Sequence, residues 1–157
     1  MRKNIAGPVR DANFMWSWLK QLFARARPAA AVRGAHGERL AADFLRRERG
    51  FTLVARNWRH PRDRRLELDL VGLDRGALVF IEVKTRSADA LVPGYYAVTR
   101  RQKRVLRRAA MAYLGQLERK PRTFRFDIVE VTLDDAGGPP VVRHFENIPL
   151  IAKHYAG

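Results

Sequence analysis

The 157-residue sequence contains no cysteine. Disulfides, thiol nucleophiles and Cys-ligated zinc are thereby excluded. Its four histidines, at 36, 60, 144 and 154, include no two at a local metal-ligand spacing. Only two serines occur, Ser17 and Ser87. Neither lies in G-x-S-x-G, which argues against serine-hydrolase chemistry. Neither of the glycine-rich loops that cradle nucleotide phosphates, G-x-x-x-x-G-K-S/T or G-x-G-x-x-G, is present. No apolar run approaches ~18 residues, so no membrane-spanning helix is expected. Acidic residues are also scarce, with Asp plus Glu at 16 against Lys plus Arg at 31, for a net charge of +15. If the chain is an enzyme, Asp, Glu and Lys must carry the reaction, with a hard metal ion.

The remaining composition is globular, with 46% hydrophobic and 30% charged residues. At this length one core is expected. The basic excess predicts attraction to a polyanion, meaning nucleic acid or an anionic membrane surface. It is unevenly spread. Residues 1–36 hold seven Lys/Arg and one Asp, and residues 99–108 hold six Lys/Arg and no acid. The mixed segment 37–98 holds nine of the sixteen acids. Acids retained inside a basic protein mark where chemistry is to be sought.

Residues 1–33 read as a basic N-terminal extension, and 34–157 as the domain. Phe14, Trp18 and Leu22 recur at helical spacing, so a short amphipathic helix is expected there, followed by a linker at Pro28 and its alanines. Lys20 interrupts the apolar stretch, which argues against a signal peptide, and a cytoplasmic location is expected. A helix follows over 33–49, with Leu40, Ala41, Phe44 and Leu45 on one face and Gly50 as its stop. Strands are expected over 51–56, 66–73 and 77–85, the last two joined as a hairpin through Asp74-Arg75-Gly76. A loop spans 87–98. The long helix 99–118 buries Leu106, Ala109, Ala110, Tyr113, Leu114 and Leu117 and presents Arg100, Arg101, Arg104, Arg107 and Arg108. Strands 123–133 and 141–145 complete an α-β-β-β-α-β-β order, an α/β sandwich with a mixed sheet.

The informative stretch runs Glu67-Leu68-Asp69-Leu70, then Phe80-Ile81-Glu82-Val83-Lys84. Val79, Phe80, Ile81 and Val83 cover both faces of their strand, the pattern of a strand buried on both sides. Charges in such a strand need a partner, an ion or an open strand end. Residues two apart share a face, so Glu67 goes with Asp69 and Glu82 with Lys84. If Arg75-Gly76 is a two-residue loop, Leu73 pairs with Leu78, Asp69 faces Glu82 and Glu67 faces Lys84. Two carboxylates opposed at ~5 Å call for a proton or a cation between them, and Mg²⁺ or Mn²⁺ suits such oxygen ligands. A three-residue loop would place the pairs on opposite faces. The bland alternative is a solvated hairpin with cross-strand Glu–Lys pairs. Glu38, following Gly37 near the start of the expected helix, is read first as an acid favouring the helix dipole until another argument is added.

These residues carry a resemblance. Gly37-Glu38 with Ala41 and Leu45, Gly50, Asn57, Arg59, Glu67-Leu68-Asp69-Leu70, Phe80 to Lys84 with Arg86, Ala110 to Leu114 and Arg125-Phe126-Asp127 stand in the order and spacing of the YraN-like family of uncharacterised bacterial proteins. That family resembles the PD-(D/E)xK nucleases, which include restriction endonucleases and archaeal Holliday-junction resolvases. The resemblance covers about Gly34 to Ile148. It implies a restriction-endonuclease-like α-β-β-β-α-β core, a mixed central sheet flanked by helices. It also implies that Asp69 and Glu82 bind Mg²⁺ or Mn²⁺, that Glu38 completes the set, and that Lys84 orients or deprotonates the attacking water. Resolvases of that superfamily are dimers, so a homodimer is implied, although the sequence marks no dimer surface.

The expectation is therefore a metal-dependent endonuclease acting on DNA, with branched DNA suggested by the resolvase resemblance. The basic helix face (Arg100, Arg101, Lys103, Arg104, Arg107, Arg108), with Arg59 and Arg86, would grip the phosphate backbone. A nucleic-acid-binding protein of the same fold without catalysis explains the charge equally well. An interfacial membrane anchor at Phe14 to Phe23 with Arg25 and Arg27 is the third reading.

Overall fold

The computed structural model describes residues 12–88 and 99–150, with side chains from residue 29 onward. The side chains of the Phe14–Phe23 segment with Arg25 and Arg27, and most of the 87–98 loop, lie outside the described residues. The elements are α1 (Ala12–Arg47), β1 (Thr52–Arg59), β2 (Glu67–Asp74), β3 (Ala77–Ser87), α2 (Arg100–Gln116), β4 (Phe124–Leu133) and β5 (Val141–Phe145). The chain divides into two units, Met1–Arg33 and Gly34–Gly157. The expected linker is instead helical, since Pro28 and Ala29 to Ala31 fall within α1. Alanine is the strongest helix former, so the run after the proline favours that outcome. Among the described residues no helix is long and apolar enough to cross a membrane.

The strands form one sheet in the order β1-β2-β3-β4-β5. Only β3 and β4 are parallel, joined through α2; the other pairs are antiparallel. The β2–β3 connection is a two-residue loop, because Asp74 pairs with Ala77. Arg75 (φ 47°) and Gly76 (φ 83°) are both left-handed there, the geometry of a type I′ turn. That turn fixes the register, and Leu73 lies opposite Leu78 as expected. β1 runs on to Arg59, past its expected end at Arg56, because Trp58 and Arg59 continue to pair with Leu68 and Glu67.

Alternation along β3 divides the core into two layers. Val79 and Ile81, with Leu70, Val129 and Val131, pack on Ala41, Ala42 and Leu45 of α1. Leu78 and Phe80, with Phe126, pack beneath Leu106, Ala109, Ala110 and Leu114 of α2. Phe80 is fully buried and sets its ring against Tyr113, Phe124 and Phe126 at centroid distances of 5.8, 6.1 and 5.4 Å. The result is a mixed sheet with residues 34–47 of α1 on one face and α2 on the other, an α/β fold with a restriction-endonuclease-like core.

A charged cluster ties β4 to β5 and to the β2–β3 turn. Asp127, 0% exposed, accepts from Arg125 Nε (3.1 Å), the Asn147 N–H (3.0 Å) and His144 Nε2 (2.9 Å). Arg125 also donates to Asp74 at 2.8 Å. Burial pushes the Asp127 carboxyl up, but the bonds from His144, Arg125 and the Asn147 amide outweigh it and hold the group below the ordinary range. None of these residues lines the cavity described next.

Candidate functional site

The β2–β3 ladder runs from Asp74–Ala77 to Leu70–Ile81 and stops there. Beyond it, a side chain replaces the backbone. Asp69 Oδ2 accepts the N–H of Val83 at 2.8 Å. Glu82 and Lys84, two apart on β3, share a face, and Lys84 Nζ donates to Glu82 Oε1 at 2.7 Å. The parting strands open a cavity of about 400 Å³. Glu67, Asp69 and Glu82 line it, with Arg65 from the β1–β2 loop and Arg101, Gln102, Val105 and Leu106 from α2. Asp69 and Glu82 are thus brought to one cavity, as the two-residue loop required. The expected approach of Glu67 to Lys84 does not form. With the ladder ended, Glu67 turns to β1 and takes Arg59 Nη2 at 2.8 Å.

Asp69 is the electrostatic centre. Burial raises its carboxyl, and the Glu82 charge raises it further. The Val83 N–H pulls it down, Glu38 pushes it up again and Lys84 opposes, leaving it at about 7. A carboxyl near neutrality at physiological pH is a group waiting for a cation or holding a proton. The charge of Glu38 also reaches Arg59. Its placement depends on Gly37, which is buried. A Cβ at Gly37 would overlap the Thr85 hydroxyl, so the missing side chain is what lets α1 approach β3 beside Lys84.

Among the described residues no three His, Asp or Glu side chains form a ready-made metal cage. With Glu67 taken by Arg59, the other two carboxylates of the cavity, Asp69 and Glu82, nevertheless match Mg²⁺, which commonly uses one or two carboxylates and completes its shell with water and phosphate oxygens. The raised Asp69 carboxyl fits that donor set, since a dication would offset both the burial and the Glu82 charge that raise it.

The expected phosphate-gripping residues separate into groups. Arg101 reaches the cavity. Arg100, Arg104, Arg107 and Arg108 are exposed along α2. Lys103 instead donates to the Pro149 carbonyl at 3.1 Å and pins the chain that follows β5. Arg59 is held by Glu67, as above. Arg86 is half-buried, and its Nε finds no acceptor among the described residues.

Four residues were not singled out from the sequence. Thr99 and Gln102 form a capping box, Gln102 Oε1 accepting the Thr99 N–H at 2.9 Å and Thr99 Oγ1 accepting the Gln102 N–H at 3.2 Å. This fixes Gln102 at the cavity, and the T-x-x-Q spacing could have revealed it. Arg65 was hidden in a loop of several arginines, with Asp63 as the available signal. Glu130 is 3% exposed and stands in register with Lys84 across the β3–β4 pair, with Arg143 Nη1 at 3.4 Å.

The model of uncharacterised protein family UPF0102 matches residues 37–131. A UPF0102 protein of Nocardia farcinica is 40% identical over 115 residues, covering 73% of this chain and 87% of that protein. One from Koribacter versatilis is 46% identical over 101 residues, covering 64% and 68%. One from Beutenbergia cavernae is 44% identical over 108 residues, covering 69% and 88%. The matched span contains Glu38, Asp69, Glu82 and Lys84.

Proposed function

The chain belongs to uncharacterised protein family UPF0102, and from that premise we propose that it is a divalent-metal-dependent nuclease that hydrolyses phosphodiester bonds in DNA. The observation that carries this reading is the meeting of Asp69 and Glu82 on one cavity, with Lys84 bonded to Glu82 beside them. The restriction-endonuclease-like core and the basic α2 support it.

Asp69 and Glu82 would hold Mg²⁺ or Mn²⁺, with Glu38 adding negative charge nearby. When bound, such an ion lowers the pKa of water and offsets charge on the phosphate oxygens. The Val83 N–H orients Asp69 so that its other oxygen is available to the cavity. Lys84, fixed by Glu82, would add positive charge where negative charge builds on the phosphate oxygens as water attacks phosphorus, loses a proton, and the P–O bond breaks to release a protonated leaving oxygen. Arg101 and the exposed arginines of α2 hold the backbone without reading sequence.

The experiment is incubation of the chain with Mg²⁺ or Mn²⁺ and a panel of linear, single-stranded and branched DNAs. Cleavage that stops with chelator and falls at least ~10²-fold in Glu82→Ala is expected. Cleavage that continues in chelator, or is unchanged in Glu82→Ala, overturns the mechanism.

A second reading is DNA binding without catalysis. It is favoured by the internal satisfaction of Glu82 by Lys84 at 2.7 Å and by the lack, among the described residues, of three acids or histidines gathered as a metal cage. Under it, Asp69→Asn and Glu82→Gln bind DNA as the parent does, and no cleavage is measured for any of them.

A further inference from the structure

The loop between β1 and β2 carries Arg62, Arg64 and Arg65, and it is rigidly built. His60 Nδ1 accepts the N–H groups of Arg62 (3.2 Å) and Asp63 (3.1 Å). The His60 N–H bonds Leu66 O at 3.0 Å, and the Leu66 N–H bonds Asp63 O at 2.9 Å. The His60 ring stands edge-on to Trp58, which in turn meets Tyr113 of α2. Asp63 therefore occupies a fixed position, and it holds Arg65 by a two-pronged contact, Nε to Oδ1 at 2.8 Å and Nη2 to Oδ2 at 3.0 Å. Arg108 of α2 approaches the same carboxylate at 3.8 Å.

A guanidinium has five N–H donors in a planar fork. Asp63 takes the Nε edge, so the Nη1 amino group and the outer N–H of Nη2 are left to donate elsewhere. The Arg65 side chain is 83% exposed, yet it lines the cavity that Asp69 and Glu82 share. Holding an exposed arginine in one orientation costs side-chain entropy. A planar fork held at this cavity suits an oxyanion, carboxylate or phosphate, that accepts two hydrogen bonds at once, and of the two DNA presents the phosphate.

We infer that Arg65, oriented by Asp63, is a substrate-positioning residue, and that the β1–β2 loop is a second phosphate-gripping wall facing α2, so that the DNA backbone enters between Arg65 and Arg101. This rests on the DNA-binding half of the reading above. It adds a contact surface outside α2 and a defined orientation for the phosphate at the cavity.

The test is binding of a fluorescein-labelled duplex to the full chain in chelator, followed by anisotropy across a salt series. Arg46→Ala serves as the control. Arg46 is an exposed arginine of α1 paired with Asp43 and absent from the cavity lining. Arg65→Ala is expected to weaken binding several-fold more than Arg46→Ala. It should also reduce the slope of log K against log salt by about 0.9, the value of one phosphate contact. Arg65→Lys keeps the charge but loses the fork. It should restore the slope and only part of the affinity, and where cleavage is measurable it should lower kcat more than it raises KM. Equal effects of Arg65→Ala and Arg46→Ala, or full recovery of affinity and kcat by Arg65→Lys, overturn the inference. If the arginine effects appear while wild-type protein leaves DNA intact with Mg²⁺ and Mn²⁺, the nuclease reading falls and this inference stands. If wild type cuts DNA and Arg65→Ala binds and cuts as well, the inference falls alone.

Discussion

Asp69 accepts the N–H of Val83 at 2.8 Å where the β2–β3 ladder has ended. One carboxylate oxygen thus closes the sheet, while burial, with the charges of Glu82 and Glu38 added, makes ionisation costly and holds the group at about 7. Its ordinary value is 3.8. Between those limits the folded chain carries a proton that the unfolded chain has lost, so stability falls as pH rises from about 4 to about 7. Asp69→Asn keeps an acceptor for Val83 and cannot ionise. Its Tm should exceed that of the parent at pH ~8 by roughly 4 °C, the size of ~1 kcal/mol in a domain of this length. The gap should narrow toward pH ~5. Mg²⁺ or Mn²⁺ should raise the parent's Tm at pH ~8 and leave Asp69→Asn unmoved. Thermal melts with and without the ion check both parts, and a variant that melts below the parent at pH ~8 contradicts the electrostatic account.

Lys84 and Glu82 are both 18% exposed and bonded to each other. Lys84→Ala removes the positive charge bonded to Glu82 and leaves Glu82 beside Asp69 without it. Cleavage should fall ~10²-fold in kcat with KM little changed, because the lost interaction acts where charge develops. Lys84→Arg should recover part of the rate. Steady-state kinetics decides this, and a change confined to KM would make Lys84 a binding residue.

The central hairpin was legible in the sequence as a turn at Asp74-Arg75-Gly76, but its length stood open between two residues and three; the structure makes it two, and that makes Leu73 meet Leu78. From that register and a period of two, the sharing of a site by Asp69 and Glu82 followed. The partner of Glu67 did not follow. Where a ladder stops depends on the competition between a backbone bond and the Asp69 side chain, and periodicity carries no term for that. Arg65 was illegible for a related reason, since its orientation is set by the fold of a loop through His60 and Asp63. The approach of Gly37 to Thr85 joins two elements far apart in sequence. The sequence offered only a glycine inside a helix, where glycine is otherwise unfavourable.

That approach is itself testable. In an ordinary helix Gly→Ala stabilises by up to ~1 kcal/mol. Here the added methyl meets the Thr85 side chain, a short β-branched group with little room to turn. Gly37→Ala should therefore cost ~1–3 kcal/mol, the range for an overpacked core. It should also impair cleavage, because α1 must shift and takes Glu38 with it. Gly34, whose added Cβ would meet nothing within 4 Å, is the internal control. Gly34→Ala should be neutral or stabilising in urea unfolding. The same loss at both positions would show that packing against Thr85 is not the cause.

Asp127 illustrates the opposite use of a buried acid. It is 0% exposed and holds Arg125 and His144, and Arg125 in turn reaches Asp74. Removing one member of a buried charge cluster strands the others, which typically costs 3–5 kcal/mol, far more than the cluster's net contribution. Asp127→Ala should lose about that much in urea unfolding at pH ~7. Because the folded carboxyl sits below 3.8, its contribution is present above that value and disappears as pH falls through the folded one. The difference between parent and variant should therefore shrink in strong acid. Asp127→Asn, which can still accept from Asn147 and Arg125, should lose less. None of these residues lines the cavity, so Asp127→Asn that remains folded should keep its DNA affinity. A loss of affinity without a loss of stability would place Asp127 in the binding site instead of in the scaffold.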